Sequence, residues 1–356
     1  MKNLVIQIVN RPDGGGAEYL ARKINQELSD FSFDNLLIFF HNPKNITLNE
    51  KEYLLGKIHA YNPINIVKLF FFITKKAKRY KKVILHGHLT HSLYFLIPFS
   101  FFSKFILFYT EHNSFNKRRK IQILRPIEQF IYSRYERIIS ISPYVKDQLT
   151  KWLGKNKINK NKFLVVFNGT KLYPYIERDF KKKKFNLLSI GSLTTQKGFD
   201  LSINAVSESR EYIQNYYILG EGPKREFLNN LILKLKLSKI VKLKGFCDPK
   251  IYLDKCDLGL IPSKWEGFGL VSVEMVSSGM PLLISDVKGM SDLFYNIGSV
   301  KIIKDREISS WSNEIKNLIL NLKKNKKVLE KSSQSVRQFS IRNMVNNYKK
   351  EYLKFF

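Results

Sequence analysis

Two glutamates stand in the segment Ser263-Lys264-Trp265-Glu266-Gly267-Phe268-Gly269-Leu270-Val271-Ser272-Val273-Glu274. A carboxylate accepts paired hydrogen bonds from vicinal hydroxyls, the pattern that sugars and ribose present. Gly267 and Gly269 would let a ligand approach the backbone closely. A second kind of chemistry lies upstream in Ile190-Gly191-Ser192-Leu193-Thr194-Thr195-Gln196-Lys197-Gly198. A strand, a glycine turn and a lysine at a helix start form a phosphate cradle, with Lys197 as its point charge. Leu219-Gly220-Glu221-Gly222-Pro223-Lys224-Arg225 repeats that combination, and Leu243-Lys244-Gly245-Phe246-Cys247 closes a third strand. Three consecutive glycine-rich loops bordered by cations suggest a nucleotide with its diphosphate.

The N-terminal half offers different groups. Asp13-Gly14-Gly15-Gly16-Ala17-Glu18 is a strand-to-helix turn whose backbone N–H groups can face an anion, with the helix dipole assisting. His86-Gly87-His88 and Glu111-His112-Asn113 end two strands further on, where imidazoles can hydrogen-bond sugar hydroxyls or a phosphate. Neither G-x-G-x-x-G nor G-x-x-x-x-G-K-[ST] occurs, so a nicotinamide cofactor and ATP hydrolysis are not indicated. No H-E-x-x-H spacing points to a histidine-held metal.

These loops need strands and helices to aim them. Apolar, β-branched runs at 4–9, 35–40, 82–86, 105–109, 137–141 and 163–167 alternate with helical patterns at 16–28, 65–79, 122–135 and 143–153. That rhythm predicts a parallel sheet buried on both faces. It restarts with strands near 185–191, 215–219, 240–244, 257–261, 281–285 and 299–303, and helices at 197–208, 223–236, 270–279 and 307–323. The expected organisation is α/β, with two doubly wound Rossmann-like domains facing a central cleft. Their expected bounds are 1–170 and 185–339, joined by a charged, proline-containing linker at 171–184. A final helix at 340–356 has Met344, Val345, Tyr348, Tyr352 and Leu353 on one side.

Composition limits the setting. With 356 residues, 61 basic and 30 acidic, the chain carries a formal charge of +31, which calls for a polyanionic partner. Cys247 and Cys256 are too few and too ill-spaced for a disulfide framework or zinc site. The N-terminus runs directly into a strand and does not resemble a signal peptide. The apolar stretch 94–110 is interrupted by Pro98, Ser100, Ser103 and Lys104, and is expected as a buried helix and a strand. A cytoplasmic protein is expected, with peripheral contact to the inner face of the cytoplasmic membrane.

In order and spacing, Gly15-Gly16-Ala17-Glu18, Gly191-Ser192-Leu193 with Lys197-Gly198, Gly220-Glu221-Gly222-Pro223 and the Glu266-x7-Glu274 block resemble the retaining GT-B enzymes of glycosyltransferase family 4. The similarity spans nearly the whole chain, including Asn168-Gly169 and the helix after Phe339-Ser340, which in that family returns to the first domain. The resemblance implies a transferase without a cofactor, acting on a nucleotide-diphosphate sugar, and the lack of a D-x-D sequence to hold a divalent ion against the diphosphate predicts metal-independent transfer. It assigns catalytic roles to His112, Glu266 and Lys197. Donor contacts fall to Gly15, Gly16, Ser192, Lys197, Gly222, Arg225, Phe246, Glu266, Gly267, Phe268, Gly269, Leu270 and Glu274. Within that set Glu274 serves the ribose and Glu266 the donor sugar. Glu18, His88 and Asn113 belong to the acceptor side. One departure stands out: Ser192 replaces the arginine of the usual glycine-arginine-leucine turn, so either Lys197 acts with Lys224, Arg225 or a helix N-terminus, the favoured reading, or diphosphate binding is weaker than usual.

The acceptor is inferred from charge. Residues 64–82 combine seven cations with no acid and interleaved aromatic residues, a mixture suited to an anionic headgroup layer. Lys117-Arg118-Arg119-Lys120 is expected to add a basic rim beside His112. A lipid-linked glycan in cell-surface polysaccharide or lipopolysaccharide synthesis fits both. The alternatives are a nucleotide-sugar epimerase or hydrolase on the same fold and a nonenzymatic basic binder. Nucleic acid is disfavoured because no reader motif is present.

Overall fold

The computed structural model describes residues 1–12, 14–28, 32–113, 116–154, 157–321 and 326–356, with the backbone alone of Lys117. Asp13 of the first glycine turn therefore lies outside the described residues, as do Lys323 and Lys324. Contacts divide the chain into two units, Met1–Gly169 with Ile341–Phe356, and Thr170–Ser340.

The first unit runs β1 (Asn3–Val9), α1 (Gly16–Glu27), β2 (Phe33–Phe39), β3 (Glu52–Leu54), α2 (Ile64–Ala77), β4 (Val83–His88), α3 (Leu89–Phe95), β5 (Phe105–Glu111), α4 (Leu124–Ser133), β6 (Arg137–Ser140), α5 (Pro143–Leu153) and β7 (Phe163–Val165). Its seven strands pair in parallel in the order β3-β2-β1-β4-β5-β6-β7. The expected strands are all present, because runs such as Leu4-Val5-Ile6 and Val83-Ile84-Leu85 are buried on both faces of the sheet. The interrupted stretch at 94–110 divides where proline dictates: α3 stops at Phe95 and a 3₁₀ turn over Ile97–Phe101 carries Pro98 in its first positions. Periodicity alone did not reveal β3, which is three residues long.

The second unit contains β8 (Phe185–Ile190), α6 (Phe199–Glu208), β9 (Ile213–Leu219), α7 (Arg225–Lys234), β10 (Val241–Gly245), α8 (Pro249–Leu253), β11 (Leu258–Ile261), α9 (Leu270–Ser277), β12 (Leu282–Ser285), β13 (Val300–Ile303), α10 (Ile308–Asn321) and α11 (Lys326–Ser335). Its parallel order is β10-β9-β8-β11-β12-β13. In each unit the direction of winding reverses beside the first strand, between β1 and β4 and between β8 and β11. Strand ends at such a reversal leave a crevice for ligands.

The segment 171–184 is not loose chain. Arg178 fastens it to the body of the second unit, donating to the carbonyls of Cys256, Leu253 and Ser278 at 2.7–2.9 Å. Burial lowers the pKa of this guanidinium to about 10. The last helix, α12 (Ile341–Leu353), belongs to the first unit, where Met344, Val345, Tyr348 and Tyr352 are buried. Among the described residues no helix is long and apolar enough to cross a membrane.

Candidate active site

In the second unit the loops after β8, β9 and β11 are joined through their backbones. Leu193 N–H donates to Glu221 O at 2.9 Å, Lys224 N–H to Leu193 O at 2.9 Å, and Lys264 N–H to Gln196 O at 2.7 Å. Two glycines make this closeness possible. A Cβ on Gly222 would lie 2.5 Å from Leu193 O, and one on Gly198, whose φ is +64°, would lie 2.2 Å from Pro262 O. The result is a firm rim at the switch between β8 and β11.

Lys197 and Glu266 meet on that rim. The ammonium lies 2.5 Å from Glu266 Oε1, which also accepts from Ser263 Oγ at 2.9 Å. Both side chains retain some solvent access, 20% for Lys197 and 11% for Glu266. A cation and a carboxylate that neutralise each other can separate when a ligand supplies a diphosphate for one and hydroxyls for the other. Behind Glu266 the chain turns through Gly269, whose φ of +82° suits glycine, and enters α9. The first N–H groups of that helix have no partner within it and carry its positive dipole end.

Glu274 sits in the second turn of α9, where one carboxylate oxygen accepts from the Thr170 hydroxyl. Burial raises its pKa, while the Thr170 hydrogen bond and Lys171 work in the opposite direction. Arg225, a candidate second cation for a diphosphate, is held by Glu221 at 2.6 Å and by Leu243 O at 3.2 Å. Ser192 and Phe246 are exposed at their strand ends, and Phe268 is buried edge-on against Phe339.

Sequence reasoning missed Arg306. It donates to Pro262 O at 3.1 Å and Ser263 O at 3.3 Å, bracing the loop that carries Glu266. It follows β13 in a stretch of mixed charge, Lys304-Asp305-Arg306-Glu307, without a glycine turn, so no local signal marked it.

In the first unit the histidines line up behind the strand ends. Gln7 Oε1 is 3.1 Å from His88 Nε2, and His88 Nδ1 is 3.1 Å from His112 Nε2. A carbonyl oxygen only accepts, so the proton of His88 resides on Nε2 and its Nδ1 accepts from His112 Nε2–H. This relay leaves the lone pair of His112 on Nδ1. Burial holds His112 at about 4, and His86 at about 3. His86 bonds to Tyr352 Oη at 2.5 Å and Thr110 Oγ1 at 2.8 Å.

Several expectations change here. His88 is fully buried with both ring nitrogens engaged, so it orients His112 rather than meeting an acceptor. Glu18 is also buried, its carboxylate folded over Gly14, whereas Gly15, Gly16 and Asn113 are exposed. Arg118 and Arg119 form no open basic rim. Arg119 pairs with Glu111 at 2.5 Å and Arg118 with Glu128 at 2.5 Å, each arginine only 10% exposed. Charges buried this deeply must be compensated, and the pairs fix the loop bearing His112 and Asn113. The Lys117 side chain lies outside the described residues.

Glu128 also accepts from the Tyr94 hydroxyl at 2.7 Å and from Trp152 Nε1 at 2.6 Å. Glu128→Ala would strand all these donors, and we expect it to destabilise the first unit by about 3–5 kcal/mol. A lowered denaturant midpoint in that unit checks this.

A further group joins the ends of β1 and β3 to the helix that follows β4. His91 Nδ1 lies 3.0 Å from Asn10 Oδ1, Tyr61 packs edge-on against His91, and His59 stacks on Tyr61. Asn10 follows β1, His59 and Tyr61 share the segment between β3 and α2, and His91 belongs to α3, so only the fold unites them.

The architecture and these loops define the GT-B fold, two parallel-sheet Rossmann-like units. Residues 14–172 match the family described as Glycosyltransferase Family 4 and residues 176–335 match Glycosyl transferases group 1. The chain belongs to the GT-B glycosyltransferases. An uncharacterized glycosyltransferase of Methanocaldococcus jannaschii is 28% identical over 220 residues, an alignment covering 61% of this chain and 59% of that protein. The O-antigen biosynthesis glycosyltransferase WclY of Escherichia coli is 32% identical over 121 residues, 32% of this chain and 34% of that one. Anabaena HepE in complex with UDP superposes with a TM-score of 0.82 at 20% identity, covering 100% of both chains.

Proposed function

We propose that the protein is a retaining glycosyltransferase that moves a sugar from a nucleoside-diphosphate sugar, UDP-linked by preference, to a hydroxyl of a lipid-linked glycan. The carrying observation is the Lys197–Glu266 pair at the β8/β11 switch, beside the N-terminus of α9. The UDP complex of HepE favours uridine as the base. The name of WclY favours cell-surface polysaccharide synthesis.

Each side chain then has a task. Glu274 takes ribose hydroxyls, Glu266 takes hydroxyls of the donor sugar, and Lys197 moves to the diphosphate. The N–H groups of Gly267 to Leu270 and the α9 dipole share that diphosphate charge. On the first unit, the Nδ1 lone pair of His112 accepts from a sugar hydroxyl, and Gly15 and Gly16 admit phosphate or acceptor. As the anomeric C–O bond to the diphosphate breaks, negative charge grows on the leaving oxygen, where Lys197 stabilises it. The acceptor oxygen bonds to the same face of the anomeric carbon, and its proton passes to the departing diphosphate. With Lys197 and the helix end in the cation's role, no divalent metal is required.

Thermal shift and nucleotide release across UDP-, GDP- and ADP-sugars test this reading. A UDP-sugar should stabilise the protein and release UDP only with acceptor present, undiminished by EDTA. Release without acceptor would point instead to a hydrolase, and an altered sugar to an epimerase.

A further inference from the structure

The sequence placed a membrane-compatible surface on residues 64–82 with a basic rim at 117–120; the arginines of that rim are paired, and the fold extends the surface elsewhere. In α2 the buried side is Asn65, Leu69, Ile73 and Ala77, while Ile64, Val67 and Phe71 face outward with Lys68 and Lys75. Right-handed crossovers from β3 through β6 place α2, α3 and α4 side by side on one face of the sheet. Aromatic contacts join them. Phe70 lies 5.9 Å from Phe102, and the Arg134 guanidinium covers Phe101 at 5.1 Å and Phe130 of α4 at 4.9 Å. Along α4, Ile123, Ile127 and Phe130 are also exposed, Ile123 at 76%.

This face contains almost no negative charge. No Asp or Glu occurs from residue 53 to 110, and the next two acids, Glu111 and Glu128, are buried in the pairs described above. Exposed cations among exposed aromatic and branched side chains match an anionic headgroup layer above an acyl boundary. A second copy of the chain would bring like charges together, and nucleic acid would leave the apolar side chains without a partner. α4 begins on the loop after β5 that holds His112, so the face extends to the end of the unit where the proposed acceptor hydroxyl reacts.

We infer that the α2, Phe101–Phe102 and α4 face of the first unit docks on an anionic lipid bilayer. The inference stands apart from the transfer reaction, since docking needs no nucleotide sugar. The test is sedimentation of the full chain with phosphatidylglycerol-containing vesicles at low salt, against pure phosphatidylcholine vesicles. The protein should co-sediment with the first, leave them at high salt, and stay in solution with the second. Phe101→Ser with Phe130→Ser should weaken partitioning at least about tenfold. Phe227→Ser, which alters an exposed aromatic on the second unit, should leave it unchanged. Far-ultraviolet circular dichroism and UDP-induced thermal shift, both without vesicles, establish that each variant is folded and still binds nucleotide. Failure to sediment with anionic vesicles, equal binding to neutral ones, or undiminished binding by the double variant would overturn the inference.

Discussion

Lys197→Ala is expected to lower kcat by about 10²–10³, the loss typical when one donor to a developing negative charge is removed. Nucleotide affinity should fall with it, because in the proposed reaction the ammonium meets the diphosphate in the ground state too. Overall stability should change little, since the pair with Glu266 is partly open to water and Glu266 keeps its bond from Ser263. Glu266→Ala should separate the two effects: the donor sugar loses its anchor while Lys197 is released for the phosphates. We therefore expect a comparable loss of kcat with nucleotide affinity preserved. Steady-state kinetics alongside calorimetric titration with UDP measure both. Unchanged turnover in both variants would remove the site from the β8/β11 switch.

Mild acid should unfold the first unit before the second. All six histidines lie before residue 113, so every one belongs to the first unit. Burial lowers His88 well below 6.5, His91 and His112 to about 4 and His86 to about 3. The unfolded chain takes up these protons near 6.5 whereas the folded one resists until about 3–4. Their contribution to stability is thus complete above 6.5 and is lost as the pH falls toward 4. Each histidine gives a slope of up to about 1.4 kcal/mol per pH unit. Hydrogen exchange should show amides of β4 and β5 losing protection while those of β8 and β11 keep theirs. Nitrogen-15 histidine spectra should keep His88 and His112 in fixed neutral tautomers at about pH 5. Equal loss of protection in both units would refute the prediction.

Much of this molecule was legible in its sequence, for definite physical reasons. Strands buried on both faces are short unbroken apolar runs, and Ile84-Leu85 or Leu282-Leu283 could be little else. Lys197 and Glu266 were legible because glycine turns at strand ends mark ligand-facing loops. What stayed hidden depends on pairing across distance. Arg118 and Arg119 look like solvated charge until Glu111 and Glu128 arrive from β5 and α4. His88 looks like a ligand-binding group until Gln7 and His112 claim both its nitrogens. The outer face of α4 has the same composition as many helices that pack on a core, and only its exposure distinguishes it.

The position of α12 bears on how the protein is made. His86 and Thr110 sit at the centre of the first sheet, yet their partners Tyr352 and Tyr348 lie in α12, beyond the whole second unit. Domains generally fold in order as they leave the ribosome. Here the first unit waits for a segment synthesised only after the whole second unit, with a polar hole in its core until those 13 residues of α12 emerge. The nascent first unit is therefore an incomplete fold throughout translation of the second, and a stop codon before Ile341 would harm the earlier half of the chain more than the later.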